Sequence, residues 1–409
     1  MNALLSWHKR FRSPDLMRKL KKMRDGPFGF FRGSYFLYAA DTTKGPFRYE
    51  PLDAAGPIVG DIHSENYGTY RAVTNDLVYD INDFDDTSEG AYEHDVRRMA
   101  VSLVLAAEEN HHRLGDGLNA AEACVRGWLH ALRHWGQHKR ADFAEIEQHY
   151  HVRELLASAE EVNRVEFLRG LATQVGPAQF SLKHDKAYRP VEPEMRARVE
   201  KALPAFLEHC LAPKNAKPQE YRLQDVAART AGTGSLGRLR LALLLDKGNA
   251  QADWPSLRLV EWKESLDSAL DVSKPVSAKG RARQVFEATS RFQLFPKRYL
   301  GYTRLQGTPV QAREIGSNDQ RFSHAHFSDL ERFTQAAVLF GGILARAHLL
   351  GSPGKAGPRK IPKLVGARED AWVHGVLSFA AGYASQVQAD WEELDARKGE
   401  VEKAWQAQE

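Results

Sequence analysis

Between residues 221 and 315 the chain stops reading as helix and begins to read as sheet, and this switch constrains the fold more than any other feature. Before it, apolar residues recur at helical spacing. In "EHDVRRMAVSLVLAAEEN", Val96, Met99, Leu103 and Ala107 form one stripe, and the style continues through residues 92–211. After it, residues 327–350 return to helix, followed by a Gly/Pro/Lys-rich loop and a helical tail. The intervening "DVAARTAGTGSLGRLRLALLLDKGNAQADWPSLRLVEWKES" predicts strand, glycine turn, strand, polar turn and strand. "KGRARQVFEATSRFQ" predicts one helix, and "RYLGYTR" and "TPVQAREI" two further strands. The expected class is α+β, with a large helical lobe and a small antiparallel-sheet lobe.

Four segments follow from this pattern. Residues 1–56 hold a basic helix opened by Ser13-Pro14 and an aromatic-rich stretch. Residues 57–214 and 321–409 supply the helical lobe, and 215–320 the small lobe. Within the second segment, Tyr67–Ala72 and Leu77–Asp83 are expected to be strands joined by the turn "VTND".

A chain of 409 residues with 43% hydrophobic and 27% charged content is long enough for such cores. Its net charge of +4 is too small to argue for nucleic acid. The two cysteines, Cys124 and Cys210, show neither metal spacing nor a disulfide framework, so a reducing cytoplasm is expected. The N-terminus has no apolar core of a signal peptide, and no membrane span is expected. Oligomeric state is left open.

Chemistry-bearing residues concentrate in two places. In "GDIHSENYG" the spacing Asp61-x-x-x-x-Asn66 is that of a kinase catalytic loop, where the aspartate orients the attacking hydroxyl and the asparagine ligates magnesium. "LVYDINDFDD" follows, and Asp83-Phe84 supplies the second metal ligand, a carboxylate beside the Asn66 amide, with Asp80 and Asp85 as alternates. A polar loop with Asx turns is the plainer alternative. His63 is expected to pack or hydrogen-bond within the loop, since zinc partners are missing at ligand spacing.

The second place is the sheet segment. Gly232-Thr-Gly234-Ser235-Leu-Gly237 is a G-x-G-x-x-G followed by a strand, which disfavours dinucleotide binding and favours a hairpin covering phosphates. A bare turn remains the alternative. Strand alternation puts Glu261 and Lys263 on one face, with Lys263 reaching toward phosphates or pairing with Glu261. Glu287 is the single acid in the helical piece and is expected to hold Lys263. Arg32, Arg313 and His348 are further candidates for bracing the site or meeting substrate, or for structural ion pairs. Asp95, beside Arg97 and Arg98 at a helix start, is expected to be structural.

"GDIHSENYG…YDINDFDD" resembles the Gly-Asp-x-His-x-x-Asn and Asp-Phe pair of aminoglycoside phosphotransferases and choline-kinase-like enzymes. "FFRG", "GDIHSENYG", "INDFDDT", "EHDVRRMA", "GTGSLGR", "EWKE" and "LARAH", spread over roughly residues 25–350, resemble in order a bacterial family known only as a domain of unknown function. The resemblance implies a protein-kinase-like two-lobed fold and supplies no substrate. The motif order is reversed relative to kinases, with catalytic loop and D-F-x at 61–85 and glycine loop, lysine and glutamate at 232–287. A circular permutation is therefore expected. Gly60 stands where protein kinases place an arginine.

The expected activity is ATP- and Mg2+-dependent phosphoryl transfer to an unidentified small-molecule or protein hydroxyl. Asp61 acts as base, Asn66 and Asp83 hold the metal, and Lys263 and Glu287 anchor the phosphates. Two readings of other classes stand beside it. One is a non-catalytic nucleotide-binding pseudokinase. The other is a metal-dependent hydrolase using Asp61, His63, Asp80 and Asp83. Transfer of AMP in place of phosphate needs only a flipped nucleotide.

Overall fold

The structure, a computed structural model, describes residues 2–8, 13–136, 150–210, 217–231, 237–248, 252–271, 280–323, 328–352, 354 and 357–406. It is a mixed α+β fold with antiparallel sheets. The strands, in chain order, are β1 (Ala55–Ile58), β2 (Tyr67–Arg71), β3 (Leu77–Ile81), β4 (Ser88–Ala91), β5 (Ala172–Gly176) and β6 (Gln179–Leu182). Then come β7 (Tyr188–Pro190), β8 (Tyr221–Arg229), β9 (Arg240–Lys247), β10 (Leu257–Glu264), β11 (Gly301–Leu305) and β12 (Thr308–Glu314). The last six form one sheet in the order β11-β12-β10-β9-β8-β7, every neighbour antiparallel. β1 pairs with β4, β2 with β3, and β5 with β6.

Alternation along β10 sends Val260 and Trp262 to one face of the sheet and Leu257 and Leu259 to the other. Helix Pro193–His209 covers the first face with Val199, Leu203, Phe206 and Leu207. Glu261 and Lys263 continue the second face, where the apolar row gives way to the cleft. The sheet thus recruits residues expected among the helices of 57–214. β5 to β7 lie in a stretch that reads as helical, because β5 exposes Thr173, Gln174 and Val175 and so shows no apolar alternation.

The helical body has its own core. Helix Leu330–Gly351 packs against helix Leu114–Gly136 so closely that a Cβ on Gly341 would meet the Cys124 carbonyl oxygen at 2.0 Å. Asp329 caps the former by accepting from Glu331 N (2.9 Å) and Arg332 N (3.3 Å), worth about 1 kcal/mol. By length and composition this helix is apolar enough to cross a membrane, with a mean hydropathy of 1.3, but it is mostly buried here. Its Arg346 and His348 are paired inside the protein.

Hairpin β2–β3 joins the two regions. Thr69 N donates to Gln320 O (2.8 Å), Phe322 N to Tyr67 O (2.9 Å) and Thr69 Oγ1 to Asn318 O (2.6 Å). The chain leaving β12 is therefore laid along the segment that follows "GDIHSEN".

Candidate functional site

The loop carrying Asp61 is pinned from beneath by Asp95 of helix Tyr92–Glu109. Asp95 Oδ2 accepts Val59 N at 2.7 Å and Oδ1 accepts Gly60 N at 2.9 Å. His348 Nε2 lies 2.9 Å from Asp95 Oδ2, and Trp128 Nε1 lies 3.1 Å from His348 Nδ1. An indole N–H can only donate, so Nδ1 accepts and Nε2 carries the proton given to Asp95. Asp95 thus holds the backbone of this loop, and His348 lies buried behind it. Gly60 has φ +87°, and a Cβ there would meet the Asp86 carbonyl oxygen at 2.3 Å. That backbone explains why no arginine precedes Asp61.

Asp61 is held by Arg98, which donates to Oδ1 through Nε (3.1 Å) and Nη2 and also reaches Phe31 O (3.2 Å). The guanidinium is fully buried, 3.9 Å from the Phe31 ring centroid, 4.7 Å from Tyr35 and 4.9 Å from Tyr38. Burial pushes the Asp61 carboxyl up to about 7, Arg98 opposing and Asp86 adding to the rise.

A small cavity of about 50 Å³ gathers seven of the expected residues. Its walls include Asp61, His63, Asn66, Asp83, Asp85, Lys263 and Arg32. Arg32 is ion-paired with Glu65 across this wall. His63 keeps a buried Nδ1 without a partner, and burial followed by Arg32 and Arg98 drives its pKa far down. The Asn66 amide oxygen accepts His63 N at 2.7 Å. Asp83 Oδ1 is buried with no hydrogen-bond partner. Burial alone would raise that carboxyl, but Lys263, Arg313, Arg321 and Arg240 outweigh it and hold it ionised.

Lys263 does not meet Glu287. It pairs with Asp85, which also accepts from Gln311 Nε2. Helix Arg281–Phe292 buries Arg281, Ala282, Val285, Thr289 and Phe292, and Glu287 lies off that face, bound to exposed Arg283 at 2.7 Å. Being the single acid in its segment is no substitute for the right helical face. Burial lowers the Lys263 pKa to about 8, with Asp83 opposing.

Asp80 is also removed from the cavity. It is buried against Arg346 Nη2 at 2.8 Å, so neither the metal alternate nor the hydrolase set using it is assembled. Arg313 donates to Glu261 Oε2 (3.3 Å) and to Asn82 O. Glu261 accepts from Arg229 and Arg240 as well, so it neutralises arginines rather than Lys263. Gly232, Gly234 and Ser235 lie outside the described residues, whereas Gly237 has φ +92° at the entrance to β9.

Among the described residues no group of three or more His, Cys, Asp or Glu is arranged to hold a metal. The unpartnered Asp83 Oδ1 and the second lone pair of Asn66 Oδ1 are nevertheless hard oxygen donors facing one cavity. They fit Mg2+, which keeps waters and takes the rest of its shell from phosphate oxygens.

Sequence reasoning passed over Arg98, Arg240 and Arg321. Arg98 carried a signal, because it lies one helical turn beyond Asp95 and so shares the face that meets the Asp61 loop. No curated protein and no solved structure matches the chain. A family profile does match it, over residues 12–397, and on that coverage the chain belongs to the family described as an uncharacterized protein conserved in bacteria (DUF2252).

Proposed function

We propose that the protein is an ATP- and Mg2+-dependent phosphotransferase acting on a hydroxyl acceptor, built on a kinase-like two-lobed plan with its halves in permuted order. One observation carries this reading. Asp61, Asn66 and Asp83 from the start of the chain line one cavity with Lys263 from the sheet. Evenly spread surface charges would not converge in this way.

In this reading Asp61, oriented by Arg98, takes the proton of the acceptor hydroxyl. The acceptor oxygen bonds to the γ-phosphorus as the bond to the β-bridging oxygen breaks, and ADP leaves. Asn66 and Asp83 would hold Mg2+, which when bound neutralises charge on the phosphate oxygens. Lys263 turns from Asp85 to the phosphates. A cavity of about 380 Å³ lined by Tyr188, Ile315, Arg313 and Arg321 adjoins the small one and offers space for the nucleoside.

The test is thermal stability with ATP, with and without Mg2+, on wild type, Asp83→Ala and Lys263→Met. Ligand at 100 times its dissociation constant adds about 2.7 kcal/mol. A Mg2+-dependent shift in wild type, reduced in both variants, supports the reading. Absence of any shift in wild type removes it. A shift without turnover on any acceptor selects the pseudokinase.

A further inference from the structure

Two residues, Asn82 and Arg321, line both the small cavity and the adjoining larger one. A ligand that fills the two chambers must pass Arg321. The arginine's backbone is fixed there by an antiparallel bridge to Gly68, with flanking bonds from Thr69 N to Gln320 O and from Phe322 N to Tyr67 O. Its side chain is exposed to the cleft.

The other cations of the small cavity are already engaged. Arg32 pairs with Glu65, Arg240 with Glu261 and Lys263 with Asp85, while Arg238 lies 3.6 Å from Asp85 and 3.9 Å from Asp86. Among the described residues the Arg321 guanidinium forms no hydrogen bond or ion pair. A lone exposed arginine is ordinarily a solvated surface group. This one is clamped at a junction, close enough to Asp83, Lys263 and Lys22 for its charge to bear on all three.

We propose that Arg321 binds the phosphate chain of the nucleotide, acting with Lys263 at the point where the two chambers meet. The inference rests on the nucleotide reading above and adds a residue to it. A planar guanidinium offers two parallel N–H donors to phosphate oxygens, which a lysine cannot reproduce.

Calorimetric titration of wild type, Arg321→Gln and Arg321→Lys tests it, with MgATP, adenosine and inorganic tripolyphosphate as probes. Arg321→Gln should weaken MgATP and tripolyphosphate about tenfold or more, and Arg321→Lys by less. Adenosine affinity should stay unchanged, which also shows that the variants are folded. Unchanged MgATP affinity in Arg321→Gln overturns the inference while leaving the nucleotide reading intact. Equal weakening of adenosine also overturns it, because the effect is then structural. Tripolyphosphate binding that depends on Arg321, with no binding of ATP or adenosine, keeps the phosphate contact and removes the nucleotide.

Discussion

Lys263 of β10 and Asp85 are joined by an ion pair across the cleft, although 178 residues separate them in sequence. The lysine side chain is 4% exposed and the carboxylate 15%. Removing one partner of such a pair leaves a buried charge, at a cost of about 3 to 5 kcal/mol. Asp83 lies near enough to compensate part of it, so Asp85→Ala should cost about 3 kcal/mol in urea unfolding. Glu287→Ala removes only an exposed pair with Arg283 and should leave stability near wild type. Nucleotide binding should be unaffected by Glu287→Ala. A large loss in that variant would restore the helical glutamate as the partner of Lys263.

The pH profile should be narrow. In the proposed transfer Asp61 would act as a base only when ionised, and burial pushes its pKa up to about 7, so kcat/KM should rise as pH passes upward through that value. Lys263 would hold phosphate only as the ammonium, and burial lowers its pKa to about 8, so on the same reading activity should fall as pH passes upward through it. The expected optimum lies between the two. A flat profile from pH 6 to 9 would remove one or both groups from the chemistry.

Much of this arrangement was legible before any coordinates, and the misses have physical causes. β2, β3, β8, β9, β10 and β12 alternate or sit beside turn residues, and periodicity finds them. The spacing of Asp61, Asn66 and Asp83 anticipates that they share one cavity, since a five-residue step and a following hairpin place oxygens together whatever surrounds them. Glu287 was misplaced because composition was used where helical phase decides. Val285, Thr289 and Phe292 mark the inward stripe, and residue 287 is two positions off it. No sequence pattern points to Arg321, because its place at the cavity comes from a bridge to Gly68 formed by chain segments 253 residues apart.

Arg98 supplies a second handle on Asp61. It is fully buried, and its aromatic surroundings leave no room for a hydrated ammonium. Arg98→Lys should therefore destabilise the protein by about 3 kcal/mol, as a buried pair is disrupted. In the fraction that folds, a lysine ammonium cannot reproduce the two guanidinium donors to Asp61, so less opposes its raised pKa and the acid limb of the pH profile should move upward. An unmoved limb would show that Arg98 serves packing alone.

His348 and Asp95 make a prediction about position rather than chemistry. His348→Phe keeps the ring volume but leaves Trp128 Nε1 and Asp95 Oδ2 each without one bond inside the core. Each lost bond costs about 1 to 3 kcal/mol, so a loss of about 2 to 6 kcal/mol in chemical denaturation is expected. Asp95 still accepts from Val59 and Gly60, but without its brace it holds the Asp61 loop less firmly, so on the proposed reading kcat should fall while KM for nucleotide stays near wild type.

Charge is concentrated at Glu261, which is 1% exposed and accepts from Arg229, Arg240 and Arg313. Burial would raise its pKa, but the three guanidiniums overturn that and hold the carboxyl well below its usual range. Glu261→Gln keeps the shape and removes the charge, leaving three arginines to repel one another in the sheet. At neutral pH the variant should be less stable by about 3 to 5 kcal/mol. The sign with pH follows from linkage. A depressed carboxyl contributes its stability fully above its unfolded pKa, about 4.3, and loses it as pH falls toward the folded value. Wild type should therefore lose its advantage over Glu261→Gln progressively below about pH 4. A stability gap that stays constant from pH 7 to pH 3 would mean that packing, and not the charge of Glu261, holds the arginines in place.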